Sequence, residues 1–178
     1  MNEIENTTIF SKYKDEVEQI MAKYPADFKR SAVMPLLYIA QREQGYVTRQ
    51  AMAEISALLD ISVTEVASVT GFYSLYYDEP HGRYHIQVCN DLPCAMRGAD
   101  KFLIDLCEYL GVGVGETTRD GLFTVEAVKC LAACNRAPMF QVQEGDVLAY
   151  HEDQTLATAQ AWIEDVRANA AQAKEAKA

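Results

Sequence analysis

The sequence predicts a chain of mixed α+β/α/β class in two parts, an N-terminal helical bundle over residues 1–78 and a small α/β domain over 79–170, with a frayed tail at 171–178. Three observations lead there. Apolar residues recur at helical spacing through the first part. Strand-like alternation begins only after the turn-rich stretch Asp78-Glu79-Pro80-His81-Gly82. Four of the five cysteines fall in two tight pairs, Cys89-x4-Cys94 and Cys130-x3-Cys134, each where a predicted strand ends.

In the first part, Ser11 is a candidate cap for a helix carrying Val17, Ile20, Met21 and Tyr24 on one side and ended by Pro25. A second helix is expected from about Ser31 to Gln44, with Pro35 near its first turn, where proline is tolerated, and Gly45 as its stop. Thr48 caps a third, with Met52, Ile55, Leu58 and Leu59 at helical spacing. Ser62-Val63-Thr64-Glu65 has the capping-box pattern for a fourth, which brings in Val66, Val69, Phe72 and Tyr73.

In the second part, Tyr84 to Cys89 and Phe123 to Val128 read as strands, Ala95 to Leu110 as an amphipathic helix, and Gly111 to Asp120 as loop. Met139–Val142 and Val147–Tyr150 form a hairpin across Glu144-Gly145-Asp146, and Thr155 caps a last helix through Val166. The Ala- and Lys-rich end (AQAKEAKA) has no apolar stripe. A β-α-β-β-α order is a small α/β sandwich compatible with a thioredoxin-like core.

With 178 residues, 49% of them apolar, the chain has enough material for a packed core. A formal charge of −10 argues against nucleic acid and against direct docking on an anionic membrane surface, because both depend on Lys and Arg. Proteins are the expected partners. The first twenty residues show no apolar export signal, and no apolar run approaches the length that spans a bilayer, so a cytoplasmic location is expected. Asn6-Thr7-Thr8 fits the glycosylation sequon but has no meaning without a secretory route.

Reduced thiols in such a chain mean a bound metal or iron–sulfur cluster far more often than disulfides. The thiolate is the ligand, and a cysteine at a helix start, as expected for Cys94 beside Pro93, gains from the unpaired N–H groups there. Ala132 and Ala133 are small enough for backbone to approach sulfur closely. Zinc ribbons and thioredoxin redox pairs use C-x2-C, which neither pair has, and the x4 gap matches only the first half of the plant-type ferredoxin spacing. Spacing thus favours iron–sulfur over structural zinc, and both over unligated cysteines.

The stretch from Gly71 to Asp153 resembles the thioredoxin-like 2Fe–2S subunit of NADH:quinone oxidoreductase, respiratory complex I. The resemblance rests on GFYSLYY at 71–77, CNDLPC at 89–94, GETTRDGLFTVEAVKCLAACNRAP at 115–138 and YHED at 150–153. It implies a thioredoxin-like 2Fe–2S ferredoxin domain after a helical extension, with Cys89, Cys94, Cys130 and Cys134 binding one 2Fe–2S cluster. It further implies a neighbouring flavoprotein subunit that holds FMN and NADH, a larger iron–sulfur subunit, and a place on the cytoplasmic side of the inner membrane through the complex. Related subunits of NAD-linked hydrogenases and formate dehydrogenases share this module. A zinc-stabilised interaction module stands as the reading outside that class. One departure is visible: many family members have glycine where this chain has Ala132.

The remaining features read more plainly. Cys107 sits among Leu103, Ile104, Leu106 and Leu110 as a small buried hydrophobe. His81, His85 and His151 lie away from the cysteine pairs. Gly111-Val-Gly113-Val-Gly115 follows a helix instead of a strand and is a loop, leaving no phosphate-binding motif. Phe72, Tyr73, Tyr76 and Tyr77 read as core or interface, and Glu164-Asp165 as a solvated helix face. Ala53 to Thr70 has a helix-turn-helix pattern, yet residues 61–77 contain no Lys or Arg to meet phosphates.

Overall fold

The computed structural model describes residues 9–145 and 147–175, so Asn6-Thr7-Thr8, Asp146 of the hairpin turn and residues 176–178 of the tail lie outside the described residues. The chain divides into two compact units, 1–80 and 81–178.

All described elements of the first unit are helical: α1 (Ile9–Lys12), α2 (Lys14–Met21), a 3-10 turn over Ala26–Ala32, α3 (Val33–Gln44), α4 (Arg49–Leu59) and α5 (Val63–Phe72). Ser11 does not cap the first long helix; it lies inside α1, and the chain breaks at Tyr13 (φ −112°, ψ 32°) before α2 begins. The Tyr13 phenol donates to Glu43 and its ring lies under the Arg42 guanidinium, contacts that fix the break there.

α2 ends at Met21, short of Tyr24 and Pro25, and α3 begins at Val33, after a 3-10 turn that takes in Ser31; the Thr48 and Ser62 caps and the Gly45 stop act as written. Gly45 ends α3 at φ 80°, and the Thr48 hydroxyl accepts from the Ala51 N–H at 3.1 Å. Ser62 and Glu65 close a full capping box. The apolar faces meet in a core of Leu36, Leu37, Ile39, Ile55, Leu59 and Val66. Of the aromatic group, Tyr76 is buried and donates to the Met34 carbonyl at 3.0 Å, whereas Phe72 is 80% exposed. The axes of α4 and α5 bend by 119°, and among the described residues no single helix is long and apolar enough to cross a membrane.

The second unit is a four-stranded sheet with strand order β2-β1-β3-β4, made by β1 (Tyr84–Cys89), β2 (Phe123–Val128), β3 (Phe140–Glu144) and β4 (Val147–His151). β1 and β2 run parallel, which requires the crossover supplied by α7 (Ala99–Leu110); β3 and β4 add antiparallel. Ile86, Val88, Phe123, Val125, Phe140 and Val142 pack against α7 and against Ala159 and Ile163 of α8 (Leu156–Glu175). The alternate residues His85, Gln87, Gln141 and Gln143 are buried polar groups; Gln141 Nε2 donates to Gln87 Oε1 at 2.7 Å, and His85 Nε2 lies 3.2 Å from the Glu126 carboxylate.

The strand expected over Met139–Val142 runs over Phe140–Glu144, and two helix boundaries also shift. The helix expected from Ala95 is two helices, α6 (Leu92–Ala95) and α7, because Gly98 between them takes φ 93°. The last helix runs past Val166 to Glu175, over part of the segment expected to fray, since Ala, Gln, Lys and Glu are strong helix formers even without an apolar stripe. At the start of the unit, a Cβ on Gly82 would stand 2.7 Å from the Phe123 carbonyl carbon, so only glycine lets the incoming backbone lie against β2.

Candidate metal centre

The parallel pairing of β1 and β2 sets the site. Cys89, the last residue of β1, stands in register with Val128, the last residue of β2, so the segments leaving both strands emerge at one end of the sheet. The Asn90 N–H donates to the Val128 carbonyl at 3.1 Å, and the Cys89 N–H to the Met139 carbonyl at 3.4 Å.

The first segment is short and regular. The Asp91 carboxylate accepts from the Leu92 N–H at 3.0 Å and its carbonyl from the Ala95 N–H at 2.8 Å, starting α6; Pro93 sits in that first turn, and Cys94 is buried. The second segment, residues 129–139, is irregular. Cys130 (φ 45°) and Ala132 (φ 59°) both adopt left-handed backbone, Cys134–Arg136 forms a 3-10 turn, and Ala137-Pro138 is cis.

Side chains bind this second loop to its surroundings. Lys129 Nζ donates to Asn90 Oδ1 at 2.6 Å, joining the two cysteine segments, and Arg97 Nε donates to the Ala137 carbonyl at 3.0 Å. Arg136 pairs with Glu152 at 3.0 Å and Asp153 at 2.7 Å, and the Tyr150 hydroxyl donates to the Leu131 carbonyl at 2.8 Å. The YHED segment, legible in the sequence only as part of a resemblance, is therefore a clamp. A tyrosine in the second strand of a hairpin and two carboxylates just past it, with an arginine in the preceding loop, were the available signal.

Cys89, Cys94 and Cys134 gather in a small cluster walled by Ala99, Leu131, Ala133, Ala137 and Met139. Cys94 packs beside both Cys89 and Cys134. Cys130 is exposed, and its backbone, with that of Asp91 and Leu131, lies beside Cys89 and lowers that thiol's pKa. The structure thus brings together three of the expected thiols and leaves the fourth at the rim. Among the described residues, no three His, Cys, Asp or Glu side chains stand in a metal-coordinating arrangement.

The electrostatics of the two buried thiols differ. Burial raises the Cys89 pKa, but the three backbone neighbours and the Cys94 thiol outweigh it and hold the thiol below its ordinary value. Burial pushes Cys94 up, and its neighbours Cys89 and Cys134 push it further. Anionic charge on sulfur is accommodated first at Cys89. Four cysteine thiols on two adjoining loops are, by donor type, those of a thiolate-ligated iron–sulfur centre.

The other candidates stay apart. Cys107 is buried in α7, and burial raises its pKa. His151 stacks on Phe140 with ring centres 4.7 Å apart, and His81 lies beside His85.

Comparison with known proteins agrees with this geometry. The chain is 44% identical over 135 residues to "NADH-quinone oxidoreductase subunit 2" of Thermus thermophilus, covering 76% of this chain and 75% of that protein. It is 38% identical over 155 residues to an NADH-quinone oxidoreductase subunit of Rhizobium meliloti, covering 87% of this chain and 89% of that one. Among solved structures, an NAD+-reducing [NiFe]-hydrogenase in the air-oxidized state superposes with TM-score 0.63 at 22% identity, over 75% of this chain and 23% of that chain, a likeness of fold. The family description "Thioredoxin-like [2Fe-2S] ferredoxin" matches residues 17–167. Sheet, cysteine loops and relatives lead to one assignment: the chain belongs to the thioredoxin-like [2Fe-2S] ferredoxin family.

Proposed function

We propose that this chain is the electron-transfer subunit of an NADH:quinone oxidoreductase. Cys89, Cys94, Cys130 and Cys134 hold one 2Fe–2S cluster, and NADH and FMN reside on a partner flavoprotein subunit. The observation that carries the reading is the meeting of three cysteines, from the end of β1 and the loops after β1 and β2, in one small cluster.

When bound, such a cluster supplies a site that takes up and returns a single electron. The residues of the chain do the rest. Cys89 and Cys94 present buried sulfur, Cys134 is half-buried, and Cys130 lies on the solvent side. The backbone groups of Asp91, Cys130 and Leu131 offset negative charge on sulfur, favouring the reduced form, while the apolar wall disfavours it. Leu92 and Met96, 70% and 81% exposed on either side of Cys94, flank the site with apolar surface suited to a protein partner.

The helices of residues 1–78 form an appended bundle, and the domain over 79–170 carries the centre. The protein lies at the cytoplasmic face of the membrane through its complex, beside the flavoprotein and a larger iron–sulfur subunit. Relatives at 38–44% identity that carry the name NADH-quinone oxidoreductase favour that complex over an NAD-linked hydrogenase or formate dehydrogenase.

The test is reconstitution with a flavoprotein subunit. NADH should reduce the iron–sulfur chromophore of this chain only when that subunit and its FMN are present. NADH oxidation by the isolated, flavin-free chain would overturn the division of labour.

A further inference from the structure

We propose that Tyr150 is a positioning residue for the second cysteine loop: its phenol fixes the peptide after Leu131 and so raises the reduction potential of the centre held there. The proposal rests on the reading of the four cysteines as ligands and adds a residue that touches none of them.

Three observations meet at Leu131. The Tyr150 hydroxyl, reaching across from β4, donates to its carbonyl at 2.8 Å. Its backbone, with that of Cys130, lies beside Cys89 and lowers that thiol's pKa. Its neighbours Cys130 and Ala132 are both left-handed, at φ 45° and φ 59°. A non-glycine residue in that region costs about 1–2 kcal/mol, so the conformation persists only where the surroundings over-determine it.

β4 is well placed to do this. Beyond Tyr150 the chain is locked to the far end of the same loop, with the Asp153 N–H donating to the Arg136 carbonyl at 2.7 Å and the Gln154 N–H to the Pro138 carbonyl at 2.7 Å. Tyr150 closes the near end.

The phenol also acts electrostatically. Its O–H dipole offsets the negative end of the Leu131 carbonyl and polarises the Ala132 N–H, which belongs to the same peptide. Both effects favour added negative charge nearby, so deleting the hydroxyl lowers the potential. With Tyr150 at 49% exposure, solvent moderates the effect.

The experiment uses the full chain, purified anaerobically, with Tyr150→Phe and a control, Tyr109→Phe, which deletes a phenol bonded to Glu164 on α8. Iron per chain, thermal unfolding and an EPR-monitored redox titration are measured on each. Tyr150→Phe should keep its iron and show a threefold fall in the equilibrium constant for reduction, about 28 mV more negative at ~59 mV per tenfold. Tyr109→Phe should not shift. A folded Tyr150→Phe that loses iron which Tyr109→Phe retains also supports the positioning role. An unshifted potential in an iron-replete Tyr150→Phe overturns it, as does loss of iron from both variants. A wild-type chain without iron is a different failure, because it removes the ligand assignment itself.

Discussion

The two cysteine loops supply sulfur to one place by opposite means. The loop after β1 is built from regular parts: an aspartate cap, a proline in the first turn, and a cysteine on a short helix. The loop after β2 adopts left-handed backbone at two non-glycine residues and is held by Lys129, Arg97, Arg136 and Tyr150. The first is specified locally, the second by contacts with the rest of the domain. Local specification gives a buried cysteine pair. A tethered, strained loop sets its backbone beside Cys89 at some cost in stability.

The largest expected effects ask whether burial decides ligation. Cys94→Ala in the regular loop and Cys130→Ala in the strained one should both lose the visible chromophore and the bound iron, although one thiol is buried and the other exposed. Cys107→Ala, also buried, should keep both. Retention in Cys130→Ala would exclude that thiol as a ligand.

Stability should then respond in opposite directions in the two loops. Asp91→Ala removes the cap of α6 and should cost about 1 kcal/mol, lowering Tm by roughly 2–4 °C in calorimetry. Ala132→Gly removes the left-handed penalty and should gain about 0.5–1 kcal/mol; a lower Tm in that variant would refute the strain assigned to Ala132.

A smaller effect concerns the strand that tethers the second loop. Burial holds the His151 imidazole below its ordinary pKa, so the native state prefers it neutral. The unfolded chain then binds the proton more readily, and stability is fully present above about pH 6.5 and declines as pH falls below it. Thermal unfolding at pH 7.5 and 5.5 should show the decline, and His151→Gln should flatten it; an equal decline in the variant would assign the pH dependence elsewhere.

What the sequence made legible follows the same division. The ends of β1 and β2, the Thr48 and Ser62 caps and the Gly45 stop depend on a few adjacent residues, and each follows from local chemistry. The break at Tyr13 depends on Glu43 and Arg42, some thirty residues away, and no local pattern announces it. The same holds for Tyr150 on Leu131 and Arg136 on Glu152 and Asp153. The left-handed backbone at Ala132 has one pointer, the glycine that many family members carry there. Gly98 is visible within an apparently continuous helical pattern, and that continuity masks the break it makes.

The most direct test of the account is an EPR spectrum of the anaerobically purified, dithionite-reduced chain, with iron, zinc and sulfide counted on the same sample. The account predicts a rhombic signal of one unpaired electron for every two irons. No signal, no iron and one zinc per chain would contradict it and leave the two loops as a zinc-held structural tie.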